Sequence, residues 1–286
     1  MTPSSPTATP RVADPALFER LVDDAAVFPP GNAPLDEAVR LHRFHRAAGY
    51  ASMVGPLLLP VSAAAGLEDV AGRSASSLTP DLDVALVARP GVPTAEVETA
   101  VTVLEAASGV TVVGVEMAWS RQWRNAHLGG LRLTLEVPRG EAQLTALDDL
   151  RGESAAQAKF RTGATPTWHW PDEAELAAFV LASVERAVPF KLTGGLHHLV
   201  RGTRDEGEQH GLLNVLLAVH LAVTGAGHEA LTTVLGERDT DSLVQRTGLI
   251  GPDEAKAVRT TFTAYGCCEV TDPIGELTTR RLIEGA

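Results

Sequence analysis

The chain has 286 residues, 44% of them apolar and 21% charged, and a formal net charge of −12. Those proportions describe a globular protein with a core of its own, large enough for one barrel domain or two ordinary domains. An acidic balance with no basic run or basic face excludes nucleic acid and anionic membrane surfaces as expected partners.

No apolar stretch approaches the roughly 18 residues that span a bilayer. The opening residues, MTPSSPTATP, show neither the basic start nor the apolar run of a secretory signal. A disordered tail over 1–14 and a cytoplasmic location are therefore expected, with the folded domain over 15–286. Cys267 and Cys268 are adjacent, a spacing that disfavours an ordinary structural disulfide within the chain. Lysine is scarce: of 24 basic residues only three are Lys, namely Lys159, Lys191 and Lys256. Arg is permanently charged, whereas a buried Lys can lose its proton and act as a nucleophile. In so Arg-rich a chain, the lysines that lie in apolar strand patterns are the first candidates for chemistry.

Apolar runs alternate with helical patterns along the whole chain, the mark of repeated βα units and a parallel sheet. The predicted strands, in order, are 25–29, 52–59, 84–88, 110–117, 131–137, 157–162, 189–193 and 261–267. Helices are predicted at 34–48, 63–76, 94–107, 120–126, 141–150, 172–187 and 273–284. Eight such pairs predict a single-domain (β/α)8 barrel. Between the seventh and eighth strands, residues 194–260 exceed what one crossover requires. This segment includes the apolar helix LLNVLLAVHLAV at 212–223. It is expected to be a helical insertion serving as a cap over the barrel, as an extra packed helix, or as the interface of a homo-oligomer.

The later strands alternate. Leu131, Leu133 and Leu135 interleave with Arg132, Thr134 and Glu136; Lys159 and Arg161 flank Phe160; Lys191 and Thr193 flank Leu192. One face of a barrel strand packs on helices and the other turns inward, so the polar set is predicted to face the barrel interior. Glu116, Glu136, Lys159 and Lys191 then converge near the C-terminal strand ends, where barrel enzymes carry their catalytic groups. Two lysines and two carboxylates suit carbonyl chemistry through a Schiff base: one amine attacks a carbonyl carbon, and its neighbours move protons. Lys159 is the expected nucleophile, with Arg161 and Lys191 supplying the positive charge that favours its neutral form. A structural ion-pair network filling the barrel is the alternative for the same residues.

KFRTG at 159–163 and FKLTGGLHH at 190–198 resemble the paired strand motifs of the deoxyribose-phosphate aldolase family of class I aldolases. LRLTLEV at 131–137 and GVEM at 114–117 are similar to that family's preceding strands. The resemblance covers roughly 110–200. It implies that Lys159 is the Schiff-base lysine, Lys191 the second lysine and Glu116 the acidic proton shuttle. It also implies that Gly163, Gly194 and Gly195 lie near a phosphate site. The chain departs from the pattern at Glu116, at Arg161 in place of a small residue, at His197 and His198, and at Cys267 and Cys268.

The expected activity is thus an aldolase-like lyase acting on a small aldehyde or ketone, with or without a phosphate, and needing no cofactor or metal. Substrate contacts are expected from Arg89, Arg161, Thr193, Gly163, Gly194, Gly195, His197, His198 and Cys267. Two other classes remain open. One is a metal-assisted lyase or hydrolase using His197 and His198 with strand-end carboxylates. The other is a non-catalytic barrel serving as a scaffold. Trp168 and Trp170, beside His169, are either an aromatic wall for substrate or a cover for the following helix.

Overall fold

The computed structural model describes residues 11–74, 81–165, 168–204 and 207–284. Its strands are β1 (Val22–Asp24), β2 (Val54–Pro60), β3 (Leu82–Val87), β4 (Val110–Ala118), β5 (Arg132–Glu136), β6 (Ala156–Arg161), β7 (Phe190–Thr193), β8 (Gly202–Arg204), β9 (Gly207–Gln209) and β10 (Phe262–Cys267). The helices are α1 (Leu35–Ala47), α2 (Ala64–Ser74), α3 (Thr94–Ala106), α4 (Ala142–Leu150), α5 (Glu173–Glu185), α6 (Leu212–Val223), α7 (His228–Gly236), α8 (Thr240–Thr247), α9 (Pro252–Thr261) and α10 (Thr271–Thr279).

Eight strands close a barrel in the order β1-β10-β7-β6-β5-β4-β3-β2, and every neighbouring pair runs parallel. The protein is an α/β barrel of the TIM type. The strands alternate as the sequence pattern requires. On β6, β7 and β10 the outward side chains Phe160, Phe190 and Phe262 meet Phe179 of α5 in one aromatic stack, with successive ring centroids 4.6, 5.0 and 5.6 Å apart. All four rings are buried, and offset or edge-on aromatic pairs add to what their burial contributes. Asp172 starts α5: its side chain accepts from the Glu175 N–H, and the Glu175 side chain accepts from the Asp172 N–H, a reciprocal cap that satisfies two otherwise orphan donors. With the apolar face fixed against helices, residues one step along each strand must point inward.

Three expectations change. The first strand is Val22–Asp24 rather than 25–29. Residues 25–28 form a turn, with the Phe28 N–H donating to the Ala25 carbonyl, so the apolar run AAVFP lines the mouth instead of the wall. Of the tail expected over 1–14, residues 1–10 lie outside the described residues. Ala13 is buried and bonds Leu282 of the C-terminal segment, and Asp14 caps a short 3-10 helix. The fold therefore reaches further toward the N-terminus than composition suggested.

Third, the long segment after β7 is not purely helical. It holds an antiparallel hairpin, β8 with β9, before α6. The apolar helix α6 packs against α5, α7, α8 and α9 and is buried nearly all round. It belongs to the outer helix layer and is not a lid. The hairpin lies against Trp170: a Cβ placed on Gly207 would sit 3.0 Å from that indole. Among the described residues, no helix is long and apolar enough to cross a membrane.

Candidate active site

The inward face of β6 carries Gln157, Lys159 and Arg161, and the inward face of β7 carries Lys191 and Thr193. In the parallel register Lys159 stands beside Lys191, and Arg161 beside Thr193. Glu136 is in register with Lys159 on one side and with Ala118 on the other. Two strands from β7 in the barrel order, β1 contributes Asp23, in register with Gly266 of β10.

These residues form one row of alternating charge. Lys191 Nζ donates to Asp23 Oδ2 at 2.5 Å and also donates to Glu116 Oε1. Lys159 Nζ donates to the other oxygen of Glu116 at 3.1 Å and pairs with Glu136 Oε2 at 2.9 Å. Arg161 closes the row, placing Nε 3.0 Å from Glu136 Oε1 and Nη2 3.3 Å from Oε2. The order is therefore Asp23, Lys191, Glu116, Lys159, Glu136, Arg161, three acids interleaved with three bases. Asp23, Glu116, Lys159 and Lys191 are buried, whereas Glu136 and Arg161 reach the mouth. Beneath the row lies a neutral polar layer, in which Thr263 donates to the Gln157 amide oxygen and Gln157 donates to the Thr134 hydroxyl, both at 2.8 Å.

Burial of a charge is costly unless the charge is paired, and the pairing decides each protonation state. For Glu116, burial pushes the carboxyl up, but Lys191 and Lys159 together outweigh it and hold the group at about 2. Glu136 is likewise held below the usual carboxylate range, because Lys159 and Arg161 overcome its burial. Lys191 moves the other way from an ordinary buried lysine. Burial disfavours its charge, yet Asp23 and Glu116 more than compensate and raise it, so Lys191 is a firmly held ammonium. Asp23 is raised, chiefly by burial and further by Glu116, with Lys191 offsetting only part of the effect.

The expected arrangement of charge around Lys159 is corrected here. Neither Arg161 nor Lys191 touches it; a carboxylate intervenes on each side, Glu136 toward Arg161 and Glu116 toward Lys191.

The remaining expected residues divide. Gly163 and Gly194 lie against each other, and a Cβ on Gly163 would fall 2.9 Å from the Gly194 carbonyl oxygen. Gly194 and Gly195 have φ of +75° and +112°, conformations open to glycine and strained for other residues. Close packing of the loops after β6 and β7 thus accounts for these glycines. The Thr162 hydroxyl ties the same loops together by donating to the Gly194 carbonyl at 2.8 Å. Arg89 is exposed beyond β3, its guanidinium 6.0 Å from the Phe28 ring.

Cys267 does not enter the barrel. It alternates with the inward Gly266, is wholly buried on the opposite face, and its thiol donates to the Glu269 carbonyl at 3.1 Å. Burial pushes this thiol up, away from thiolate chemistry. His197 faces Cys267 and Cys268, with its Nδ1 3.5 Å from the Cys267 sulfur, while His198 turns to Glu276 of α10 at 2.7 Å. The two imidazoles diverge, and among the described residues no group of three His, Cys, Asp or Glu side chains could hold a metal ion. The ligand set expected for metal-assisted chemistry is not assembled.

Three residues escaped the sequence reading. Asp23 did so because the first strand was placed three residues too late. Gly55 faces Asp23 across the β1–β2 pair. Arg139, beyond β5, donates to the His169 carbonyl at 2.7 Å and to the Arg161 carbonyl at 2.6 Å, and its guanidinium lies 5.6 Å from the Trp168 ring. It pins the loop that carries both tryptophans, which speaks for Trp168 as a loop cover. The acid pair Asp23-Asp24 directly after an apolar Leu21-Val22 was the available signal. Asp24 points outward to His42 of α1 at 3.0 Å and anchors the end of β1.

No family model matches the chain, and no curated protein does. Among solved structures, it aligns over 96% of its length with 95% of a chain described as the unique tetrameric structure of deoxyribose phosphate aldolase from Aeropyrum pernix, at 17% identity and a TM-score of 0.38. A likeness at that level adds nothing to what the strands themselves show.

Proposed function

We propose that the protein is a Schiff-base-forming, aldolase-like lyase in which Lys159 is the nucleophile and Lys191 the proton donor. One observation carries this reading: the two lysines are buried side by side on adjacent strands and share the two oxygens of Glu116. Both lysines lie between two acids, but Asp23 and Glu116 raise Lys191, so it stays an ammonium: a poor nucleophile, and a standing store of a proton to be relayed through Glu116. Lys159 is bonded to Glu136, which is itself partly exposed.

In the proposed reaction, Lys159 Nζ adds to the carbonyl carbon of a small aldehyde or ketone, with its surplus proton passing to a flanking carboxylate. The former carbonyl oxygen takes up two protons, the one first lost to the carboxylate and one from the attacking nitrogen, relayed through Lys191 and Glu116, and leaves as water, giving an iminium. A carboxylate then removes the proton of a hydroxyl two carbons from the iminium carbon. The C–C bond breaks, an aldehyde departs, and its bonding pair moves into the iminium to form an enamine. Protonation at carbon and addition of water release the second carbonyl product and free the amine. General acid–base steps of this kind contribute about 10²–10⁴-fold each.

The test is borohydride reduction in the presence of small aldehydes and ketones, followed by peptide mass mapping. The expected result is an adduct on the peptide carrying Lys159, lost in Lys159→Arg together with turnover. An adduct on Lys191 alone, no adduct across the series, or full activity in Lys159→Arg overturns the proposal.

A further inference from the structure

The row ends in a cation with one edge unused. Glu136 occupies Nε and Nη2 of Arg161; Nη1 bonds nothing among the described residues and points toward the Gly194 turn, where a Cβ would approach it to 3.5 Å. A guanidinium has two edges that can take a carboxylate in parallel hydrogen bonds, and here only one is filled. In register with Arg161 stands Thr193, whose hydroxyl likewise has no hydrogen-bond partner among the described residues. Both residues are half-buried, at the ends of their strands. The two unfilled donors therefore sit one pleat outward from Lys159 and Lys191, on the same two strands, with strands about 4.8 Å apart.

We infer that Arg161 and Thr193 form a carboxylate-binding subsite, and that the carbonyl substrate condensing with Lys159 is a 2-oxo acid. The inference rests on the Schiff-base reading above and names its substrate class. Proximity decides between a carboxylate and a more distant anion. Lys159 and Arg161 both contact the same atom, Oε2 of Glu136, so the amine and the guanidinium are separated by a single oxygen. A group bonded directly to the iminium carbon falls within reach of that guanidinium; a phosphate several carbons away overshoots it. The local cation also explains how a chain of net charge −12 admits an anion to its interior. Condensation is balanced without an added reagent: the amine and the 2-oxo group give the iminium and one water, and the carboxylate stays ionised on Arg161.

Trapping of the intact protein with cyanoborohydride tests this, using pyruvate, the uncharged hydroxyacetone and glyceraldehyde 3-phosphate as probes, with the adduct on Lys159 measured by mass. Pyruvate is expected to half-saturate at a concentration about tenfold or more below hydroxyacetone, the worth of one charge-assisted hydrogen-bond pair. Arg161→Lys, which keeps the charge and a bond to Glu136 but lacks the second edge, should bring the ratio of pyruvate to hydroxyacetone trapping close to one, whatever it does to the rate with either probe. Thr193→Val should weaken pyruvate selectively by a smaller factor. Pyruvate trapped no better than hydroxyacetone, glyceraldehyde 3-phosphate trapped better than pyruvate, or an unchanged ratio in both variants overturns the inference and leaves the lyase reading standing. Failure of all three probes to mark Lys159 overturns both.

Discussion

Asp23 occupies the space that a side chain on Gly55 would fill: a Cβ built on that glycine falls 1.8 Å from Asp23 Oδ1. The carboxylate that clamps Lys191 is therefore seated by the absence of an atom on the next strand, where the β1–β2 register shifts between Val22 and Asp24. Gly55→Ala should push Asp23 away from Lys191. We expect a stability loss of about 1–3 kcal/mol and a fall in turnover. In a double-mutant cycle with Asp23→Ala, read by urea denaturation, the two losses should combine less than additively.

Lys191 can be separated into charge and proton. Lys191→Met leaves Asp23 and Glu116 facing each other without their cation, and breaking a buried pair in this way costs about 3–5 kcal/mol. Lys191→Arg retains the charge and should be the more stable of the two. It should still trap an adduct on Lys159 while turning over about 10²–10⁴-fold more slowly, because Arg does not give up its proton. The pH–rate profile of the Arg variant should lose its alkaline limb.

Acid stability reports on Glu116. Its folded value of about 2 lies below the ordinary 4.5, so its contribution is fully present above pH 4.5 and is lost as pH falls toward 2. Lys191, raised above 10.5, has the opposite sign: its contribution is present below pH 10.5 and is lost only at higher pH. Urea midpoints measured from pH 7 to pH 2.5 should fall most steeply below 4.5, and Glu116→Gln should flatten that fall while lowering the plateau at neutral pH.

Phe190 lies on the opposite face of β7 from the chemistry, between Phe179 and Phe262. Phe190→Ala should cost about 3–5 kcal/mol, seen as a lower urea midpoint. Adduct formation per folded molecule should be unchanged, since the site faces the other way.

The alternation of β5, β6 and β7 could be read directly because polar residues stand at every second position among apolar ones, and a period of two has only two phases. The barrel followed from eight strand–helix pairs in succession. Asp23 was obscured because AAVFP is more apolar than VDD, and hydrophobicity alone assigns the wall to the wrong tripeptide. Cys267 was misplaced because the resemblance puts small residues of the last strand at the substrate; here its neighbour Gly266 takes that side. The partners of Lys159 were illegible for another reason. Which charge lies next to which depends on strand order and shear, so Arg161, two residues away in sequence, turns out to be insulated from Lys159 by an acid from β5.

The alternating row also limits how this protein can change over generations. Three acids and three bases sum to zero, and the row's buried members have little water to absorb an imbalance. Any single substitution that alters the charge of one of those members strands its neighbours and costs several kcal/mol, a large share of the 5–15 kcal/mol that keeps a domain folded. Descendants must therefore alter the row in compensating pairs or leave it alone. Comparable lineages should differ freely at Arg89 and on the exposed face of α7, and should show Asp23 and Lys191, or Glu136 and Arg161, gained and lost together.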